Sequence, residues 1–274
     1  MTERYAVIGN PIVQSKSPLI HAHFAKATQQ DLEYGLIEGP LDGFTEAVRA
    51  FQRSSGRGMN VTAPFKLQAF ELADEKSERA QLAGAVNALK FEADGRILAE
   101  NFDGIGLARD IAKNLGLPLA GKRVLVLGAG GATRGLLQPF LAEQPAELVI
   151  ANRDAAKAVQ LAAAFAAHGP VRGSGYAAIG PGRFDLVVNA TSASLRAELP
   201  PVSPDAFAID GLAYELAYGK GLTPFLRLAQ NAGVKRLADG VGMLIEQAAE
   251  AFLWWRGVRP DTRALIAQMT VPLK

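Results

Sequence analysis

The chain has 274 residues, 49% hydrophobic and 20% charged, and 29 Lys and Arg against 27 Asp and Glu give it a net charge of +2. That is enough ordinary globular sequence for two cores, and the near-neutral balance argues against a nucleic-acid-binding stripe. Cysteine is absent, which removes disulfides, thiolate nucleophiles and cysteine-ligated metals; with no signal-like opening and no apolar stretch near the ~20 residues of a membrane span, a cytoplasmic protein with neither nucleic-acid nor membrane partners is expected.

Short β-rich runs alternate with helical ones, the pattern of an α/β fold with a mainly parallel sheet. Tyr5 to Ile8 reads as a first strand closed by Gly9-Asn10-Pro11, and Pro18 to Gln29 as a helix with Ser17 as its N-cap. Leu32 to Ile37, the helix Phe44 to Phe51 and the strand Gly58 to Thr62 follow. Ala85 to Glu92 and Arg96 to Glu100 form a hairpin around Asp94-Gly95. A second series opens near Gly104 with a helix, Ile105 to Leu115, and the apolar strand Arg123 to Leu127. Then come a helix to Ala142, the strand Glu147 to Ala151 and an Ala-rich helix ending near His168. Gly169 to Gly182 reads as loop with one weak strand, and Asp185 to Asn189 and Phe207 to Asp210 as buried strands. Two domains are therefore expected: an N-terminal α/β substrate domain, 1–103, completed by C-terminal helices in 243–274, and a doubly wound Rossmann-type domain, 104–242.

The strand ending at Leu127 runs straight into Gly128-Ala129-Gly130-Gly131-Ala132-Thr133 and a helix. Glycines let a backbone approach a pyrophosphate closely while free helix N–H groups face its charge. Thr133 stands where the usual third glycine would be, so the strand-turn-helix-strand context carries the assignment. At the end of the second strand, an NAD site usually places a carboxylate for the ribose 2′-hydroxyl; here Asn152-Arg153 suits a 2′-phosphate, with Arg134 and Lys157 on the same rim. NADP is the expected cofactor, and the Asp154 carboxylate is the residue that leaves NAD open.

Beyond that turn, Ser15-Lys16-Ser17-Pro18, Asn60-Val61-Thr62-Ala63-Pro64-Phe65-Lys66, Ala85-Val86-Asn87, Asn101-Phe102-Asp103-Gly104, Asn152-Arg153, Asn189-Ala190-Thr191-Ser192 and Gly240 to Gln247 occur in order. Over essentially its whole length the chain resembles shikimate dehydrogenase. The resemblance implies reversible reduction of 3-dehydroshikimate to shikimate with NADPH, within aromatic amino-acid and chorismate biosynthesis, by a monomer or homodimer. It implies that Ser15 and Ser17 bind the substrate carboxylate, that Asn60, Thr62, Asn87, Asp103, Tyr214 and Gln247 line the substrate, and that Lys66 and Asp103 form the catalytic pair. Thr191, Gly240 and Met243 join Gly128, Ala129, Gly130, Gly131, Ala132, Asn152, Arg153 and Lys157 on the cofactor side. The chain departs from the family pattern at Phe102 (usually Thr), Ser194 (usually Gly), Gly211 and Ala213 (usually larger apolar residues) and Asp154 (usually Thr).

The residues support that chemistry on their own terms. Alcohol oxidation needs a hydride acceptor and a base for the hydroxyl proton. His21, His23 and His168 are the only histidines; each reads as a surface or helix-end residue, and no His/carboxylate cluster suggests a metal. Lys66 opens a helix, where the macrodipole disfavours its charge; an unperturbed lysine, with pKa about 10.4, would be only about 0.04% neutral at pH 7. Asp103 would share or relay its proton. Two alternatives stand beside the main reading: a quinate/shikimate dehydrogenase using NAD, and a low-activity paralogue that binds cofactor as a sensor.

Overall fold

In the computed structural model, which describes residues 2–273, β1 (Glu3–Gly9), β2 (Leu32–Glu38) and β3 (Gly56–Val61) run parallel with β1 in the middle. They alternate with α1 (Ser17–Ala27) and α2 (Phe44–Arg53). The buried face of α2 is Phe44, Val48 and Phe51, spaced by one and two helical turns. After α3 (Lys66–Leu72) come β4 (Glu75–Lys76), α4 (Glu78–Ala83) and the expected hairpin, β5 (Ala88–Phe91) against β6 (Ile97–Glu100). The six strands are ordered β2-β1-β3-β5-β6-β4, and Ile8, Met59, Phe65 and Leu89 centre the core beneath them.

The second series starts one residue earlier than its sequence suggests: Asp103 opens α5 (Asp103–Arg109), which continues as a π-helical turn over Asp110–Asn114. Then follow β7 (Arg123–Leu127), α6 (Gly131–Ala142), β8 (Glu147–Asn152), α7 (Ala155–Phe165), β9 (Val171–Gly175), β10 (Phe184–Asn189), β11 (Phe207–Glu215), α8 (Pro224–Asn231) and β12 (Arg236–Asp239). All strands pair in parallel in the order β12-β11-β10-β7-β8-β9. Val124 to Leu127 are fully buried, as a sheet covered on both faces requires. The chain moves outward from β7 to β9 and then returns to β10 beside β7. Strand order thus reverses at β7, and ligands of doubly wound sheets bind off the carboxyl ends at such a switch point.

The chain ends with α9 (Val241–Arg256) and α10 (Arg263–Met269). Two units emerge, Met1–Gly106 with Ile245–Gln268, and Leu107–Leu244 with Met269–Lys274. The later part of α9 packs in the first: Trp255 stacks on Tyr5 with ring centroids 4.8 Å apart and donates its Nε1–H to Leu89 O at 3.0 Å. Leu273 instead packs on the core of the second unit. No helix among the described residues is long and apolar enough to cross a membrane.

Candidate functional site

In the first unit, Lys66 is the first residue of α3 and Asp103 the first of α5. Lys66 Nζ lies 2.5 Å from Asp103 Oδ2, with both side chains partly open to solvent (34% and 20%). Asn87 Nδ2 donates to Asp103 Oδ1 at 2.8 Å and to Gln247 Oε1 at 3.2 Å. Asn87 Oδ1 accepts from Phe102 N at 2.8 Å, and Asn101 Oδ1 from Asp103 N at 3.1 Å. Both carboxylate oxygens of Asp103 are therefore fixed, and the lysine side chain held against one of them is partly exposed. An ammonium–carboxylate pair in this state can donate a proton to a ligand oxygen or take one from it.

Thr62 directly follows β3 and its carbonyl accepts from Phe65 N at 3.0 Å, closing the turn that delivers Lys66. Asn60 is buried with both ends of its amide engaged: Oδ1 accepts from Tyr34 at 2.6 Å and Nδ2 donates to Asn87 O at 3.2 Å. Ser15 Oγ and Ser17 Oγ are 3.2 Å apart, so the two hydroxyls do meet on one loop. Ser17 is not the N-cap expected from sequence. It is the first helical residue of α1, Lys16 occupies the cap without a side-chain bond, and Ser17 N donates to Ser15 Oγ at 3.3 Å. Proline is tolerated across the first helical positions, so Pro18 is compatible with either start. His21 also departs from expectation: it is 1% exposed, in the core rather than at the surface. Its helical position faces Tyr34 and Phe252.

In the second unit, β7 delivers Gly128 at φ +106, a conformation glycine alone adopts readily. Thr133 is fully buried and its hydroxyl donates to Gly128 O at 2.8 Å, so the residue in the third-glycine position braces the turn from inside. A side chain at Gly130 or Gly131 would meet nothing within 4 Å. The start of α6 has neither a side-chain cap nor an acidic residue in its first turn. Open space in front of uncapped N–H groups suits a pyrophosphate; Ala129 and Ala132 flank it without bulk. Arg153 and Lys157 are exposed and Asn152 half-buried at the end of β8. Asp154, the residue that left NAD open, is the N-cap of α7: Oδ1 accepts from Ala156 N and Lys157 N, and Oδ2 lies 3.9 Å from Lys157 Nζ. Thr and Asp are both N-cap residues, so this departure keeps the local structure.

Thr191 packs on Gly128, where an added Cβ would come within 3.2 Å of its methyl. Its hydroxyl donates to Asn189 Oδ1 at 2.7 Å. Gly240 has no room for a side chain, since a Cβ would fall 2.1 Å from Leu216 O, and Met243 N donates to Tyr214 OH at 3.2 Å. Tyr214 itself corrects the sequence reading. It is 0% exposed and donates to Asp110 Oδ2 at 2.7 Å, so it offers no atom to a substrate and instead braces the start of α9. Burial raises its pKa well above the ordinary phenol value. Tyr218, four residues on and 40% exposed, is the tyrosine of this segment that a ligand can reach; the Tyr214-x-x-x-Tyr218 repeat is the signal that could have raised it.

The other departures point inward. Phe102 packs edge-on against Trp254 at 5.7 Å beside Ala88 and Ala251. Ser194 donates to the buried Glu215 carboxylate, which also accepts from Asn189 at 2.9 Å and Thr223 at 3.2 Å; burial raises the pKa of Glu215. Ala213 is in the sheet core, and a Cβ on Gly211 would approach Asp185 O to 2.6 Å.

Comparison with known proteins gives one answer along the chain. Family models match at residues 7–89 (shikimate dehydrogenase substrate binding domain), 107–196 (shikimate / quinate 5-dehydrogenase) and 240–270 (shikimate 5′-dehydrogenase C-terminal domain). The shikimate dehydrogenase (NADP(+)) of Nitrosospira multiformis is 55% identical over 269 residues, 98% of both chains. Among solved structures, an Ael1 enzyme from Pseudomonas putida is 66% identical with a TM-score of 0.95 over 100% of both chains. The shikimate 5-dehydrogenase of Thermus thermophilus, solved with NADP(H) and shikimate, is 31% identical with a TM-score of 0.83, covering 97% of this chain and 98% of that one. The resemblance read from the motifs is borne out.

Proposed function

The chain belongs to the shikimate dehydrogenase family, and from that premise we propose that it interconverts 3-dehydroshikimate and shikimate with NADP(H) in the shikimate pathway, as a cytoplasmic enzyme of a small-molecule substrate. The observation that carries the reading is the partly exposed Lys66 side chain, whose Nζ is held 2.5 Å from Asp103 Oδ2, with Asn87 bonded to the other oxygen. Bound NADP supplies the hydride acceptor, and NADPH the donor. In the oxidising direction neutral Lys66 takes the proton of the hydroxyl that becomes a ketone; in the reducing direction its ammonium returns a proton to the ketone oxygen. Asp103 holds the ammonium and orients the hydroxyl, and Asn87 with Gln247 keeps Asp103 from turning. Ser15 and Ser17 take the substrate carboxylate, and Thr62 a ring hydroxyl.

The first unit is the substrate domain in this proposal and the second the cofactor domain. Gly130, Gly131 and the start of α6 hold the pyrophosphate, and Asn152, Arg153 and Lys157 the 2′-phosphate. The NAD reading loses its argument from sequence because Asp154 is engaged as a helix cap. Initial rates with shikimate and quinate, each against NADP and NAD, test the whole assignment. Shikimate with NADP is expected to be fastest; background rates in all four combinations would leave only a cofactor-binding paralogue. Arg153→Ala should raise the KM for NADP about tenfold and leave that for NAD within about twofold; equal changes for both cofactors would remove Arg153 from the 2′-phosphate site.

A further inference from the structure

Glu215, the last residue of β11, is fully buried and takes no part in the steps above. Its hydrogen-bond donors come from two different segments. Asn189, the last residue of β10, donates through Nδ2 to Oε2 at 2.9 Å, and Ser194 in the loop beyond donates its hydroxyl to the same oxygen. From the segment after β11, Ala217 N donates to Oε1 and Thr223 Oγ1 to Oε2, both at 3.2 Å. A buried carboxylate is tolerated when it is hydrogen-bonded this fully, and four donors fix both of its oxygens.

Such an acceptor imposes a direction on its neighbours. A carboxylate only accepts, so the end of the Asn189 amide that faces it is the NH2 and the carbonyl end is turned away. There Oδ1 accepts from Thr191 N at 3.1 Å and from Thr191 Oγ1 at 2.7 Å, while Thr191 Oγ1 accepts from Ala193 N at 3.2 Å. Thr191 lies against the dinucleotide turn, close enough that a Cβ added at Gly128 would come within 3.2 Å of its methyl. A backbone N–H can only donate. An Asn189 amide with its ends exchanged would set NH2 against the Thr191 N–H and press Thr191 away from the turn.

We propose that Glu215 is a positioning residue for NADP, a buried acceptor that sets the Asn189 amide and through it holds Thr191 against the Gly128 turn. The proposal rests on the reading of that turn as the pyrophosphate cradle. It is tested by exchanging amide and carboxylate without changing their shapes, with NADPH binding followed by fluorescence titration. Asn189→Asp sets two carboxylates against each other and should raise the Kd about tenfold at about pH 8. Adding Glu215→Gln restores one donor facing one acceptor in the reverse direction, and the oxygen beside Thr191 is kept. The double variant should therefore return to within about threefold of the wild-type Kd. The KM for shikimate should stay within about twofold throughout; a rise that matches the NADPH loss would mark a general loosening and overturn the proposal. A double variant no tighter than Asn189→Asp would overturn it too. Where Asn189→Asp shows no cooperative unfolding transition, Thr191→Val takes its place. That change keeps a methyl for Gly128 to pack on and removes the hydroxyl bond to Asn189, so the Kd should rise about threefold, and an unchanged value would overturn the proposal. Gly130→Val separates the two readings. An unchanged Kd in that variant would remove the cradle and this proposal together, whereas a raised one beside a wild-type value in Asn189→Asp would overturn only the role of Glu215.

Discussion

The catalytic cluster and the dinucleotide turn solve opposite problems. Around Asp103 every polar side chain is held by another before any ligand arrives: Lys66 on one oxygen, Asn87 on the other, Gln247 behind Asn87. Around Gly130 the useful features are backbone N–H groups and empty space. One region stores its function in side chains and fails when an atom is deleted. The other stores it in their absence and fails when an atom is added.

Lys66→Ala is the sharpest attempt to break the first half of that contrast. General acid–base groups contribute roughly 10²–10⁴-fold, so kcat should fall about 10³-fold with the fold intact; turnover within about tenfold of wild type would mean that Lys66 is not the proton carrier. Gly130→Val addresses the second half. The site has φ −93 and open surroundings, so the fold should tolerate the side chain. The KM for NADP should nevertheless rise about thirtyfold as methyl groups enter the phosphate space, with Tm within about 2 °C of wild type. A matching loss of stability would show that the turn is structural rather than a cradle.

The smallest effect sharpens the comparison at His21, whose two ring nitrogens are buried in the first unit without a hydrogen-bond partner. Unfolded, an imidazole titrates near 6.5; folded, burial lowers that of His21 to about 3. Between those values the unfolded chain binds the extra proton and the native chain does not, so stability rises with pH across the window and is lost as pH falls through it. The loss should be about 1 kcal/mol per pH unit below about pH 6.5. Urea unfolding midpoints measured at descending pH should show that slope in the wild type and a shallower one in His21→Phe. Identical slopes would mean that His21 is already protonated in the native state.

How much of this was legible without coordinates differs between the two regions. The turn, β7 and β8 were readable because a buried parallel strand followed by glycines has few other uses, and Lys66 and Asp103 because their motifs are long. Tyr214 was misread for a physical reason. In a strand buried on both faces, a tyrosine bonded to a buried carboxylate looks in sequence like one that faces a ligand; only its burial and Asp110, 104 positions away, tell them apart. His21 was missed similarly, since α1 also carries an exposed Leu19, which blurs the face that meets Tyr34. The strand β9 was only half visible in a Gly- and Pro-rich segment, and β4, α4, α8 and β12 were not assigned. The departures from the family pattern at Phe102, Ser194 and Ala213 point into the interior, where all three side chains are buried.

The first unit is built from two separate stretches of chain, and synthesis delivers them far apart in time. Residues 107–244 form most of the second unit and leave the ribosome as one continuous piece, whereas the first must wait for Ile245–Gln268. Until that stretch emerges, Tyr5 has no Trp255 to stack on and Asn87 no Gln247 to bond. Domains generally fold as units when their residues are available, so the nascent protein gains its nucleotide cradle before its proton-handling centre. Protease protection of chains arrested just past residue 244 would display that order, with the second unit resistant while the first is still cut.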